Sequence, residues 1–309
     1  MRTTLSFDDF RRSVVAVPPL CRSAELRVDA AENQRLIRHL EAGGIRLLLY
    51  GGNANFYNIS LGEYDAVLDV LESAAGPDTV VVPSVGPYFG TMMDQAAILA
   101  RRRFPTAMVL PTLAVSSPEG VRVAVMKFVE CFGRPAVLYI KDEKYVTVEV
   151  AKALVKAGVI SWIKYAVVRN DPAQDDLLHA LCDAIDPRII VSGIGEQPAI
   201  AHRTRFGLGG FTSGCVCVAP RLSMDLLQAL NAGDAARAET IRATFLPLET
   251  LRNTHGPIPV LHHAVALAGL AHTGPVLPLL APLPAEITAA IRPVALALLE
   301  TETARRKSG

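Results

Sequence analysis

The chain reads as a closed TIM-type (β/α)8 barrel with a C-terminal helical extension, and three observations carry that reading. Eight short apolar, β-prone runs follow one another with amphipathic helical stretches between them. Units of this length fill about 215 residues, as a closed barrel requires. No Gly-rich dinucleotide fingerprint follows the first run, which argues against an open doubly wound sheet.

The runs 13–20, 45–51, 79–86, 107–113, 135–141, 161–168, 188–193 and 209–213 are expected as strands. They are apolar on both faces, as parallel strands covered by helices must be. The helices expected between them are 30–42, ended by Gly43-Gly44, then 61–74, 91–103, 118–132, 148–157, 172–184 and 198–206. Beyond Pro220 only helical periodicity remains, at 222–231, 235–244, 260–270 and 285–299, broken by Gly256-Pro257-Ile258-Pro259 and Gly274-Pro275-Val276-Leu277-Pro278. Residues 1–220 are therefore expected to form the barrel, and 221–309 a helical extension packed on it. The charged tail 301–309 is expected to fray.

Composition excludes several classes. Half of the 309 residues are apolar and the formal net charge is +1, so no basic excess points to nucleic acid or an anionic membrane. Every apolar run is broken before the ~18 residues of a membrane span. Acidic Asp8 and Asp9 stand where a signal peptide would be apolar, and a cytoplasmic protein is expected. Cys21, Cys131, Cys182, Cys215 and Cys217 are odd in number and lack zinc-knuckle spacing. His39, His179 and His202 fall on helices, and His262-His263 are adjacent on one, where neighbours face different sides. No metal and no cofactor are expected.

One residue breaks the apolar pattern. Lys164 stands inside Ser161-Trp162-Ile163-Lys164-Tyr165-Ala166-Val167-Val168, a run that reads as a buried strand. Burial penalises an ammonium, and the neutral amine it favours is a nucleophile toward ketones. The competing reading is a strand-end lysine that reaches water or a carboxylate. Tyr139, on the preceding strand, is a core aromatic or, beside such a lysine, a proton relay. Gly51-Gly52-Asn53-Ala54-Asn55 ends the second strand; its small residues make either a plain turn or a nest of backbone N–H groups for an anion.

Together these features resemble the dihydrodipicolinate synthase / N-acetylneuraminate lyase superfamily of class I pyruvate-type aldolases. Gly51 to Asn55 stands at its carboxylate-binding loop, Val137-Leu138-Tyr139 at the catalytic tyrosine and Ile163-Lys164 at the Schiff-base strand. Ile190-Val191-Ser192-Gly193 and Gly209 to Gly214 are similar to its last two barrel strands, and the likeness runs from about Val15 to Leu283. Departures are equally plain. Pro111-Thr112-Leu113-Ala114 replaces the run that supplies a relay tyrosine from a neighbouring subunit. Gly52 and Asn55 replace a threonine and a glutamate, Ile140-Lys141-Asp142 replaces Asn-Val-Pro, and Lys144 aligns with the arginine that often holds a distal carboxylate.

The resemblance implies catalysis by Lys164 and Tyr139, with substrate held by Gly52, Asn53, Ala54 and Thr212, and specificity set by Lys141, Lys144 and Glu196. The implied activity is a Schiff-base lyase, an aldolase or dehydratase, acting on a 2-oxo acid such as a 2-keto-3-deoxy sugar acid. A synthase-like condensing enzyme and an inactive 2-oxo-acid-binding barrel with a sensing or structural role are the alternatives. A homo-oligomer, dimer or tetramer, is also implied.

Overall fold

The computed structural model describes residues 1–308. Its strands are β1 (Val15–Ala16), β2 (Leu47–Leu49), β3 (Val80–Val82), β4 (Ser84–Val85), β5 (Met108–Val109), β6 (Ala136–Ile140), β7 (Ile160–Tyr165), β8 (Ile190–Ser192) and β9 (Gly210–Ser213). All pair in parallel, in the order β3-β2-β1-β9-β8-β7-β6-β5-β4. The two ends of that order, β3 and β4, are one run of chain parted only by Pro83. Proline has no N–H to give to a ladder. The run bonds β2 through its first half and β5 through its second, and the Pro83 carbonyl still accepts from the Met108 N–H at 2.8 Å. The eight expected strand runs thus close a ring, and the fold is the barrel that the alternation predicts.

The surrounding helices are α1 (Asp9–Arg12), α2 (Ala30–Ala42), α3 (Leu61–Ala74), α4 (Phe89–Ala100), α5 (Pro118–Phe132), α6 (Val148–Lys156), α7 (Asp176–Ala184) and α8 (Ala199–Phe206). Asp29, Ser60, Ser117, Thr147 and Asp175 cap α2, α3, α5, α6 and α7 by accepting first-turn N–H groups. Helix α7 starts four residues later than periodicity suggests because Asp175 is its cap. The core lies inside the ring and between ring and helices, with Leu48, Leu49, Val81, Val137, Ile163 and Val191 fully buried.

Four helices follow: α9 (Pro220–Ala232), α10 (Ala235–His255), α11 (Pro257–Leu267) and α12 (Ala285–Ser308). Glu302 of α12 is fully buried and accepts the Arg221 and Leu222 N–H groups of the first turn of α9 at 3.2 and 3.0 Å. A carboxylate there answers the positive end of the helix dipole and ties α12 to α9. Helix α10 differs from expectation: it does not stop near Thr244 but runs eleven residues further, through Pro247. An interior proline costs about 3 kcal/mol. Burying Ile241, Phe245 and Leu248 contributes about 1.5–3 kcal/mol each and outweighs that cost. The continuation carries Glu249, Arg252 and Asn253 to the barrel mouth. No helix among the described residues is long and apolar enough to cross a membrane.

Candidate active site

A cavity of about 390 Å³ opens at the C-terminal ends of the strands, where barrels of this type place their reacting groups. Lys164 and Tyr139 both line it. Their meeting depends on a register shift. Ala136 pairs with Ile160, but Val137 pairs with Trp162, which leaves Ser161 as an extra residue on β7. The Ser161 hydroxyl donates to the Ala136 carbonyl at 3.0 Å and lies 2.7 Å from the Thr106 hydroxyl. Beyond the bulge Tyr139 stands opposite Lys164, so both side chains leave the same face. The Lys164 Nζ lies 4.4 Å from the centre of the Tyr139 ring.

Lys164 is only 6 % exposed, and among the described residues its amine has no ion pair and no hydrogen bond. Gly193 makes room for it: a Cβ there would sit 3.0 Å from the Lys164 Cγ and 2.8 Å from the Tyr165 carbonyl oxygen. Burial, and then the positive charges of Lys141 and Arg252, bring the Lys164 pKa down to about 7. The tyrosine face attracts an ammonium by about 0.5–2 kcal/mol. A fall from 10.5 to about 7 represents several kcal/mol, so the neutral amine stays well populated at neutral pH. Burial also pushes the Tyr139 hydroxyl up to about 12, with Arg252 pulling the other way. That phenol keeps its proton at neutral pH and has no partner among the described residues. The expected pH dependence follows: attack on a ketone by Lys164 rises with pH through a midpoint near 7, and Lys141→Gln moves that midpoint upward. Initial rates of reductive trapping with pyruvate, measured from pH 5.5 to 9, check both.

The loop after β2 forms the opposite wall. A Cβ on Gly51 would lie 2.4 Å from the Met108 Cε and 3.2 Å from the Ser84 Oγ, so a larger residue there would have to push the methionine aside. Asn55 takes a left-handed conformation (φ 57°) and its N–H returns to the Gly52 carbonyl at 2.8 Å. Gly52 and Asn53 line the cavity, and their N–H groups make no hydrogen bond among the described residues. The Asn53 side chain donates to the Val17 carbonyl at 3.2 Å, and the Asn53 backbone carbonyl meets His262 Nε2 at 3.1 Å. His262 is buried and its pKa falls to about 4, mainly through burial, so the neutral ring donates to Asn53. Its part in holding the loop was invisible in sequence. Thr212 lines the cavity from β9.

Of the residues expected around the substrate, Gly52, Asn53, Thr212 and Lys141 reach the cavity and three do not. Ala54 is buried beneath the loop surface. Lys144 is exposed in a turn held by Asp142, whose carboxylate accepts the Lys144 N–H at 2.8 Å. Glu196 is wholly buried behind the wall, where it accepts the Ser223 hydroxyl at 2.7 Å. The Glu196 N–H donates to Glu249 of α10 at 2.9 Å. Burial raises both carboxyl pKa values, and the neighbouring Glu196 raises that of Glu249 further. The Cys215 Sγ lies within 4.8 Å of this pair, a cluster of one thiol and two acids that the sequence did not reveal. Burial raises that thiol pKa far above the ordinary value.

Arg252, Asn253 and Tyr57 line the cavity and were missed. The first two sit on the part of α10 beyond Pro247, where no helix was expected. Gly195 makes the approach of α10 possible: its φ is +102° and a Cβ would fall 1.9 Å from Glu249 Oε1. Gly195→Ala is expected to lower the unfolding free energy by about 3 kcal/mol in urea denaturation. A larger hollow of about 630 Å³ lies elsewhere, beside α4 and α5, and holds neither Lys164 nor Tyr139.

A parallel barrel with an unpaired buried lysine at its mouth defines the class of molecule, and comparison with known proteins makes it specific. Residues 10–294 match the Dihydrodipicolinate synthetase family, and the chain belongs to that family. It falls within a superfamily of lyases and aldolases. It is 26% identical over 251 residues to a 4-hydroxy-tetrahydrodipicolinate synthase of Methylobacterium radiotolerans, covering 79% of this chain and 81% of the relative. It is 24% identical over 204 residues to a probable 5-dehydro-4-deoxyglucarate dehydratase of Bacillus subtilis; that match covers 65% of each chain, a little under two thirds of the relative. Among solved structures, a catalytic-lysine mutant of the sialic acid aldolase of Ruminococcus gnavus superposes with a TM-score of 0.85 at 16% identity, over 97% of this chain and 99% of the other. The dihydrodipicolinate synthase of Oceanobacillus iheyensis gives 0.82 at 20% identity, over 94% and 97%. At these identities the structural likeness speaks for the fold alone.

Proposed function

We propose that the protein is a Schiff-base-forming lyase acting on a 2-oxo acid, with a 2-keto-3-deoxy sugar acid as the substrate class. The observation that carries this reading is Lys164, buried, unpaired and open to the cavity directly beside Tyr139. The free N–H groups of Gly52 and Asn53 receive the substrate carboxylate. The neutral Lys164 amine attacks the C2 ketone, Tyr139 protonates the oxygen, and water leaves to give a protonated imine. In aldol cleavage Tyr139 accepts the proton of the C4 hydroxyl. The C3–C4 bond breaks, its electron pair moves into the imine, and an aldehyde departs from an enamine. Protonation at C3 and hydrolysis release pyruvate and restore the lysine. Dehydration uses the same imine: a proton leaves C3, and the C4 hydroxyl departs as water. The imine is the electron sink, so neither branch calls for a metal.

The dehydration branch is favoured by the likeness to the probable 5-dehydro-4-deoxyglucarate dehydratase of Bacillus subtilis. Condensation of the synthase kind is disfavoured because Lys144, aligned with the distal-carboxylate arginine, is exposed and does not line the cavity. Borohydride trapping with pyruvate, followed by peptide mass spectrometry, tests the imine. A panel of 2-keto-3-deoxy sugar acids, scored for pyruvate and for water loss, separates cleavage from dehydration. Absence of any adduct at Lys164 would overturn the reading and leave a barrel that only binds. We also propose the homo-oligomer implied by the resemblance, which light scattering on the purified protein decides.

A further inference from the structure

The loop after β2 is held from outside the barrel. The Gly52 carbonyl accepts the Asn55 N–H at 2.8 Å, which fixes the peptide between Gly52 and Asn53. In a trans peptide the N–H points opposite to the carbonyl, so the Asn53 N–H turns away from Asn55 and stays unbonded among the described residues. The next peptide, between Asn53 and Ala54, is fixed by His262 of α11, whose Nε2 lies 3.1 Å from the Asn53 carbonyl oxygen although the two residues are 209 apart in the chain. Helix α11 comes this close because Gly214 has no side chain: a Cβ there would fall 2.3 Å from Leu261 Cδ1 and 3.0 Å from Asn53 Nδ2. Beyond α11 the chain returns to the same loop, where the Leu277 carbonyl accepts from Asn55 Nδ2 at 3.5 Å. A carbonyl oxygen only accepts, so His262 Nε2 carries the ring proton and Nδ1 is bare. That Nδ1 is buried without a partner among the described residues. An apolar side chain would avoid this cost, so packing does not account for a histidine here.

We propose that His262 is a positioning residue for the substrate carboxylate, and that the C-terminal extension, acting through it, sets the preference for 2-oxo acids over ketones that lack a carboxylate. This assignment rests on the Schiff-base reading above and deepens it. The Asn53 carbonyl has no other donor among the described residues. Released from Nε2–H, its peptide can swing and turn a carbonyl oxygen toward the space that the carboxylate needs. Oxygen then faces oxygen, and the nest of N–H groups loses its hold on an anion. A neutral ketone is indifferent to that swing. Burial keeps the ring neutral at neutral pH, so the effect is one of geometry and not of a charge on the histidine.

The test is reductive trapping of the full-length protein with pyruvate and with hydroxyacetone, a ketone of similar size without a carboxylate. Half-maximal adduct at Lys164 is expected at a concentration about tenfold or more lower for pyruvate. His262→Leu removes the donor, and should cut that ratio by about fivefold or more. His262→Gln offers an amide N–H at similar reach and should restore most of it. A His262→Leu protein that keeps the wild-type ratio overturns the proposal, as does a His262→Gln protein no better than His262→Leu. Should the leucine variant fail to fold, hydrogen exchange of the wild type decides. Pyruvate, and not hydroxyacetone, is expected to slow exchange in 257–267 as well as in 51–58, because an anion that needs the loop in place also favours the docked helix. Slowing confined to 51–58 overturns the proposal. Wild-type adducts with both ketones and no preference for pyruvate remove this assignment and leave the imine; no adduct with either removes both.

Discussion

Lys164→Ala is expected to abolish borohydride trapping of pyruvate and to lower turnover by about 10³-fold or more, with the fold intact. The loss is large because the amine is consumed in the first covalent step, and no other described residue of the cavity offers a neutral nitrogen nucleophile: Lys141 is exposed and Arg252 is a guanidinium. The fold survives because two changes oppose each other. Alanine forfeits buried methylenes at about 0.8 kcal/mol each. It also removes the penalty of burying an ammonium whose pKa falls from 10.5 to about 7. Below about pH 7 the lysine is charged in both folded and unfolded chains, and the penalty is complete. Between about 7 and 10.5 only the unfolded chain holds the proton, so the penalty shrinks as pH rises. Wild type should therefore gain stability relative to Lys164→Ala across that window, which denaturant titrations at pH 6 and pH 9.5 measure. A Lys164→Ala protein turning over substrate at the normal rate would end the mechanism.

Tyr139→Phe is expected to lower kcat by about 10²–10⁴-fold while KM moves only a few-fold. Phenylalanine keeps the ring face 4.4 Å from the lysine Nζ and removes only the hydroxyl. That hydroxyl has no partner among the described residues, so its loss breaks no hydrogen bond there and leaves stability near wild type. Steady-state kinetics on the first substrate found in the panel separate kcat from KM. Equal kcat for both proteins would move the proton relay to another group, and Tyr57 is the other phenol among the described residues that line the cavity. It is partly buried, its hydroxyl donates to the Pro111 carbonyl at 3.4 Å, and its pKa is raised by burial and by Tyr139.

Two kinds of residue separate what was legible in sequence from what was not. Lys164 and Tyr139 stood out because each interrupts or occupies a short apolar run whose neighbours announce a buried strand. Asn53 and Gly52 stood out because small residues at a strand end mark a turn with exposed amides. Arg252 and Asn253 gave no such signal. They follow Pro247, and a proline inside a helical pattern is a reasonable place to end the helix; burial of Ile241, Phe245 and Leu248 reversed that local preference. Glu196 misled for the opposite reason. Its place after the seventh strand run put it near the mouth, but Gly195 takes a positive φ there and Glu249 of α10 accepts the Glu196 N–H behind the wall.

The sequence by itself determined the barrel, its closing count of strand runs and the lysine–tyrosine pair, because alternation of apolar runs and helices is a local pattern that needs no partner to be read. Tertiary structure decided which side chains actually meet. The Ser161 bulge sets the register that puts Lys164 opposite Tyr139, and one residue of slip would turn the lysine to the other face of the sheet. Packing of α10 against the barrel decides that the far wall carries Arg252 and that Glu196 lies behind it. Register and helix docking are settled by buried area and close approach between segments far apart in the chain, and those quantities do not exist until the chain has folded.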